Sequence, residues 1–242
     1  MVVFNCLITL ISVLLLISLP FNVSTAEIIC SDSVVFKNQE FFVGAQTRGR
    51  FFPEGGRIVR FYLNNRLIGR TLSGGDGYAY LEQRFKRAGL YRIKARSDDD
   101  TCYCSVMVLG VKDRLVLVQL EGVVFNIPFL GELKDGSREV LKELKGHYRI
   151  VYVTLLPAIH KLKQWLREKG LPESVVVNFD PQEFKTLKTK GVSITALVDS
   201  SDVLGSFLSD VDRCFSFKES EGCETVEDWR EIKGRIQKGY AP

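Results

Sequence analysis

Residues 115–118 are Leu-Val-Leu-Val, and they lead into Gln119, Leu120, Glu121 and Gly122. An apolar run with no polar alternation suits a strand buried on both faces, which in soluble proteins means a parallel sheet covered by helices. Such sheets place ligands beyond the carboxyl ends of their strands. Gln119 and Glu121 therefore stand where the chemistry of this chain is to be sought.

The pattern downstream agrees. Strands are expected at 115–120, 149–153, 174–177, 194–198 and 214–217, with helices at 137–145, 157–169, 181–190 and 203–208. Val140, Leu141 and Leu144 share one helix face, Pro157 opens the next helix, and Gly170 and Gly191 follow helix ends. Val226, Trp229, Ile232 and Ile236 mark a terminal amphipathic helix. Repeated strand–helix units with short connections predict an α/β, Rossmann-like domain over residues 113–238, with helices on both faces of a parallel sheet.

Residues 27–110 have another rhythm. Val59, Phe61 and Leu63 alternate with Arg60 and Tyr62, and Tyr91, Ile93 and Ala95 with Arg92, Lys94 and Arg96. Period-2 alternation marks half-buried strands. Turns are expected at Asn64–Asn65, at the Ser-Gly-Gly-Asp-Gly of 73–77, at Ala88–Gly89 and at the three aspartates of 98–100. Cys102, Cys104, Val106 and Val108 fall on one face of a last strand. Short strands between such turns predict an all-β sandwich. The Gly-Asp-Gly turn at 75–77 and the Gly-x-Tyr-x-Ile-x-Ala strand at 89–95 resemble those of bacterial Ig-like domains, which implies a spacer or adhesive module.

Residues 2–20 are nearly all apolar, and Ser24, Thr25 and Ala26 supply small side chains. Residues 1–26 read as a secretory signal peptide cleaved before Glu27, with an uncleaved membrane anchor as the alternative. Export to the periplasm, the envelope or beyond permits disulfides. Cys30, Cys102, Cys104, Cys214 and Cys223 remain after the leader. Cys214 and Cys223 are close enough in sequence to close a ring, and Cys30 is expected to bridge to Cys102 or Cys104 on the last strand. No Cys-x-x-Cys or His cluster suggests a metal site. The net charge of +4, with no Lys/Arg cluster interleaved with aromatics, is not the signature of a nucleic-acid-binding protein.

The strand ends of the second half resemble the motifs of the haloacid dehalogenase superfamily of phosphohydrolases. Gln119 stands where that family has its nucleophilic aspartate, and Glu121 where it has its general acid. Thr154, after Ile-Val-Tyr-Val, matches the second motif, whose hydroxyl holds a phosphoryl oxygen. Lys185, Lys188 and Lys190 are candidates for the third. Asp199, after Ala-Leu-Val, matches the magnesium-binding fourth motif, with Asp202 three residues on as its partner or as a cap for the helix from Val203. The resemblance implies a ligand site of Gln119, Glu121, Thr154, Lys185, Lys188, Asp199 and Asp202, with Asp199 as the metal ligand.

The departures bear on activity. Attack on phosphorus needs a carboxylate, and an amide at 119 is neutral and a poorer magnesium ligand. The resemblance then implies a domain that binds without turnover. Its partner would be a phosphorylated small molecule, a phospholipid headgroup at a membrane surface, or an envelope protein. An Ig-like module ahead of such a domain is similar in order to the lipin-type phosphatidate phosphatases. No cofactor is required, and Mg2+ enters only if the site is active. Two alternatives stand beside this reading. One is a divergent phosphatase using Glu121 or Asp199 with a metal-bound water. The other is a structural or adhesive envelope protein whose second half is a scaffold.

Overall fold

The computed structural model describes residues 27–126, 131–157, 159–200 and 207–238. The leader, Asp202 and most of the helix expected at 203–208 lie outside the described residues.

Eight strands come first: β1 (Glu27–Cys30), β2 (Ser33–Phe36), β3 (Glu40–Arg48), β4 (Ile58–Leu63), β5 (Arg66–Leu72), β6 (Tyr78–Arg84), β7 (Gly89–Ser97) and β8 (Asp100–Leu109). They form a sandwich of a three-stranded sheet, β1-β3-β6, and a five-stranded sheet, β2-β8-β7-β4-β5. Val43, Ala45, Phe61, Ile93, Ala95, Cys104 and Val106 meet in its core. Asn64 and Asn65 take positive φ of 50° and 63°, the tight turn that joins β4 to β5.

The remaining strands are β9 (Arg114–Gln119), β10 (Arg149–Thr154), β11 (Val175–Asn178), β12 (Ser193–Asp199), β13 (Cys214–Ser216) and β14 (Glu224–Thr225). All run parallel, in the order β11-β10-β9-β12-β13-β14. The chain steps outward from β9 to β10 and β11, then returns to β9's other side, so β9 is central and the order reverses beside it. Val116, Val118 and Leu120 enter one core, Leu115 and Leu117 the other, and all five are fully buried. Each such side chain contributes roughly 1.5–3 kcal/mol on leaving water.

Helices α1 (Ser137–Leu144), α2 (Ile159–Glu168) and α4 (Trp229–Lys238) cover the first face through Leu141, Leu162 and Ile232. Helix α3 (Pro181–Thr189) lies on the second through Phe184 and Leu187. Asp180 caps α3, its Oδ1 accepting from the Gln182 amide at 2.9 Å, with Pro181 preset for the first turn.

The second face is not covered by helix alone. Val34 of β2 and Met107 and Leu109 of β8 pack with Leu115, Leu117 and Phe184 in one cluster. Cys104, Val106 and Val108 point into the sandwich, so residues 104–109 are buried on both sides. The half-buried last strand expected from the sequence is thus a shared wall.

Asp32 joins the parts. It sits where the chain leaves the first sheet of the sandwich and enters the second. Its side chain is fully buried, and Lys163 of α2 lies 2.5 Å away. It also accepts from the Ser105 amide of β8 at 2.6 Å and the Val176 amide of β11 at 2.9 Å. Lys163 reaches on to the Tyr103 carbonyl at 3.0 Å. Burial pushes the Asp32 carboxyl above its ordinary value, while Lys163 and the two amides pull it down.

Two disulfides close, Cys30–Cys102 across the sandwich and Cys214–Cys223 between β13 and the turn before β14. They place the protein in an oxidising compartment, as an exported chain. No helix among the described residues is long and apolar enough to cross a membrane. Cys104 is a buried thiol, its pKa pushed up to about 12 chiefly by desolvation.

From Glu27 onward, Cys104 alone should alkylate, and only after unfolding; mass spectrometry of labelled, non-reduced protein checks this. By loop entropy, removing Cys30–Cys102 as paired alanines should cost about 4 kcal/mol and removing Cys214–Cys223 about 3 kcal/mol.

Lys163→Met should cost about 3–5 kcal/mol at neutral pH, because it strands a buried carboxylate. A carboxyl with a folded pKa above its unfolded value holds its proton longer in the folded state. Its contribution is therefore most favourable at acid pH and is lost as pH rises from the unfolded pKa through the folded one. The variant should recover part of its deficit toward pH 4, read as urea midpoints across pH. A pH-independent deficit would assign the loss to packing alone.

Candidate functional site

The reversal of strand order beside β9 puts the ends of β10, β9 and β12 next to one another, the usual place for a ligand on a parallel sheet. Thr154, Gln119 and Asp199 end those three strands, and all three are buried. Glu121 follows β9 by two residues and is half-buried.

These groups are spent largely on one another and on Ser200. The Gln119 carbonyl oxygen accepts from the Ser200 amide at 2.9 Å and faces the Ser200 hydroxyl at 3.3 Å. The Ser200 amide is shared with Asp199 Oδ1 at 2.7 Å, and its hydroxyl donates to the Glu121 carbonyl at 2.7 Å. Thr154 Oγ1 donates to Glu121 Oε1 and accepts from the Leu156 amide at 3.1 Å. Asn178 donates to the Thr154 and Leu156 carbonyls at 3.1 and 3.3 Å, tying β11 to the same turn. Glu121 Oε2 is buried with no hydrogen-bond partner among the described residues.

Gly122 makes the close approach of Ser200 feasible. Its φ is +74°, and a Cβ there would stand 2.2 Å from Ser200 Oγ. Both the backbone conformation and the contact exclude other residues.

The lysines are elsewhere. Lys185 and Lys188 lie 3.6 and 3.5 Å from Asp210. Asp210 stands two residues before Asp212, whose amide bonds the Ile194 carbonyl near the start of β12, at the opposite end from Asp199. Lys190 reaches the sandwich, donating to Gln39 Oε1 at 2.7 Å. The structure thus brings Gln119, Glu121, Thr154 and Asp199 together and sets Lys185 and Lys188 apart from them. A helix pattern shows which face is polar, not which end of the sheet that face serves.

Magnesium favours near-octahedral carboxylate and water oxygens. Here the Gln119 oxygen is engaged by Ser200 and one Glu121 oxygen by Thr154. Among the described residues no three His, Cys, Asp or Glu side chains converge as metal ligands. The strand ends do not fit that ion.

Sequence reasoning missed Ser200, Asn178 and Asp32. The signal for Asp32 is the Ser-Asp-Ser of 31–33, which interrupts apolar residues on either side. Also missed is the space beside it, a cavity of about 130 Å³ between β8 and α2, lined by Arg92, Tyr103, Lys163 and Arg167. Arg92 stacks over the Tyr103 ring at 4.2 Å.

No protein-family model matches this chain, and no curated protein sequence matches it. Solved structures that match include the D0-D1 domain of intimin, at 17% identity over 36% of this chain and 49% of that one, TM-score 0.29. A C-terminal intimin fragment in complex with the intimin-binding domain of the translocated intimin receptor matches at 12% identity, over 46% of this chain and 40% of that one, TM-score 0.30. The IG27 protein domain matches at 8% identity, over 36% of this chain and all of that one, TM-score 0.28. The chain spans about half the length of the D0-D1 and D00-D0 intimin fragments, 49% and 48%.

These findings correct the haloacid dehalogenase resemblance drawn from Gln119, Glu121, Thr154 and Asp199. No family model supports it, and the matching structures named here are Ig-like and intimin-type β domains, not phosphohydrolases. The phosphate-binding, pseudophosphatase reading falls with it.

If the strand-end network is structural, Thr154→Val should destabilise by about 1–3 kcal/mol, since it strips the donor from the half-buried Glu121 carboxylate. Glu121→Gln should cost less, because it removes the charge while keeping an oxygen for Thr154. Urea midpoints of the two variants, compared with the parent, check the order.

Proposed function

We propose that this is an exported structural or adhesive protein of the cell envelope. In this reading a sandwich domain of residues 27–110 and a Rossmann-like domain of residues 113–238 act as one rigid unit, in the periplasm or at the cell surface. Its partner is another envelope protein.

The observation that carries the reading is the use made of Gln119. At the position a parallel sheet offers to a ligand, the protein has a neutral amide whose oxygen is bonded to Ser200. The end of the central strand serves to tie β9 to the segment after β12. A scaffold gains rigidity from such ties.

The contact surface favoured by the same reading is the outer face of β3 and β6. Phe42 and Tyr80 are 63% and 53% exposed there. Tyr78 and Tyr80 stack at 5.7 Å, and Phe42 meets Tyr80 edge-on at 6.4 Å. The Tyr80 ring lies over Gly44, where a Cβ would come within 3.3 Å of it. Rigid aromatic area of this kind is enriched in protein interfaces, because it costs little side-chain entropy to bury.

Purified protein with magnesium and p-nitrophenyl phosphate should release no product above buffer. Turnover that Glu121→Gln abolishes would replace this reading with an enzymatic one. Cross-linking on intact cells should join the exported protein to an envelope partner, and Phe42→Ser with Tyr80→Ser should remove that adduct without changing the folded state seen by circular dichroism.

A further inference from the structure

The sandwich end that carries the β3–β4 connection is unusual in what it exposes. Phe51 and Phe52 are 71% and 77% exposed, the most of any large apolar side chains among the described residues. They are not on a loose loop. The Gly49 amide donates to the Phe52 carbonyl at 2.8 Å, and Arg48 pairs with Pro53 in an antiparallel bridge. Below that, the Glu54 amide donates to the Thr47 carbonyl at 2.9 Å, and the buried Thr47 hydroxyl donates back to the Glu54 carbonyl at 2.5 Å. The two rings thus stand at the apex of a small braced hairpin. Ile58 and Leu72, register partners at the same end, are 44% and 62% exposed.

We propose that this end of the sandwich contacts a lipid bilayer, with Phe51 and Phe52 entering the zone between headgroups and acyl chains. Grouped exposed apolar side chains mark a contact surface, and the shape of this one is convex. A bilayer accepts a convex apolar apex without a matching pocket.

The course of the chain favours lipid over a protein pocket. Glu27, where the described chain begins, pairs with Arg48 at the foot of the hairpin. The apolar residues 2–20 are joined to it by residues 21–26. The seven residue steps from Pro20 to Glu27 reach no more than about 25 Å. While residues 2–20 are in a membrane during export, the hairpin is held within that distance of it.

Charge has a smaller part. Arg50 lies 5.2 Å from the Phe51 ring, and Arg48 stands at the base. The acidic groups at this end are largely matched. Arg57 pairs with Glu54 and Asp98 at 3.3 and 2.5 Å, and Arg96 with Asp99 at 3.4 Å. Insertion is therefore driven by apolar area and does not require anionic lipid.

The inference rests on the exported envelope reading. If the protein is not exported, that reading and this one fail together; an exported protein that ignores lipid removes only this one. The test uses the mature chain from Glu27, without the apolar leader, with Arg50→Cys carrying a polarity-sensitive fluorophore. Phosphatidylcholine vesicles, and vesicles of phosphatidylcholine mixed equally with phosphatidylglycerol, should both shift its emission to the blue, and spin-labelled lipid should quench it. Phe51→Ser with Phe52→Ser should weaken the titration by about tenfold or more. No shift with either vesicle overturns the proposal. So does a shift that survives loss of both phenylalanines, and so does a shift confined to the anionic vesicles, which would assign binding to the arginines.

Discussion

A single buried carboxylate makes one body of this chain. Asp32 has three demands on its oxygens, and they come from three elements: β8 of the sandwich, α2, and the edge strand β11. Removing an anion from water costs several kcal/mol unless the surroundings replace its hydration. Here a lysine and two backbone amides do so together. The backbone donors are the important part, because they are fixed by two different sheets. Moving one sheet relative to the other would break an ionic hydrogen bond in a dry place, where such bonds are strong.

The same contact answers a problem at the edge of the parallel sheet. An edge strand offers unpaired amides to any other chain, and proteins cover or charge such edges. The sandwich lies against β11, and Asp32 takes the Val176 amide directly. Val34, Met107 and Leu109 then extend the apolar cover across the sheet face. The junction is thus a hydrophobic core with one ionic pin, and both halves lose solvent exposure by sharing it.

Much of this was legible in the sequence, for identifiable reasons. The run 115–118 has no polar alternation because both of its faces are covered. Val140, Leu141 and Leu144 kept helical spacing because one helix face packs on the sheet. Gln119, Thr154 and Asp199 could be placed at neighbouring strand ends because each closes an apolar run. The roles of those residues were not legible. A side chain at a strand end looks the same in a string whether it faces a ligand or bonds to the next loop, and the bond from the Ser200 amide to the Gln119 oxygen is visible only in the structure. The lysines of α3 were assigned to the wrong end of the sheet for the same reason. The order of motifs suggested a phosphohydrolase family that the comparisons do not support. Asp32 gave only a faint signal, since its partners lie more than seventy residues away.

That separation has a kinetic side. The carboxylate's partners Lys163 and Val176 follow it by 131 and 144 residues. An exported chain that crosses a membrane unfolded delivers β1 and β2 first and β11 much later. Until α2 and then β11 arrive, the strand-switch segment lacks first its cation and then its far amide, and β8 shows a second apolar face to water. Contacts so distant in sequence form late and slowly. The newly delivered amino-terminal half therefore passes through a stage in which its own interior is finished and its outer wall is bare.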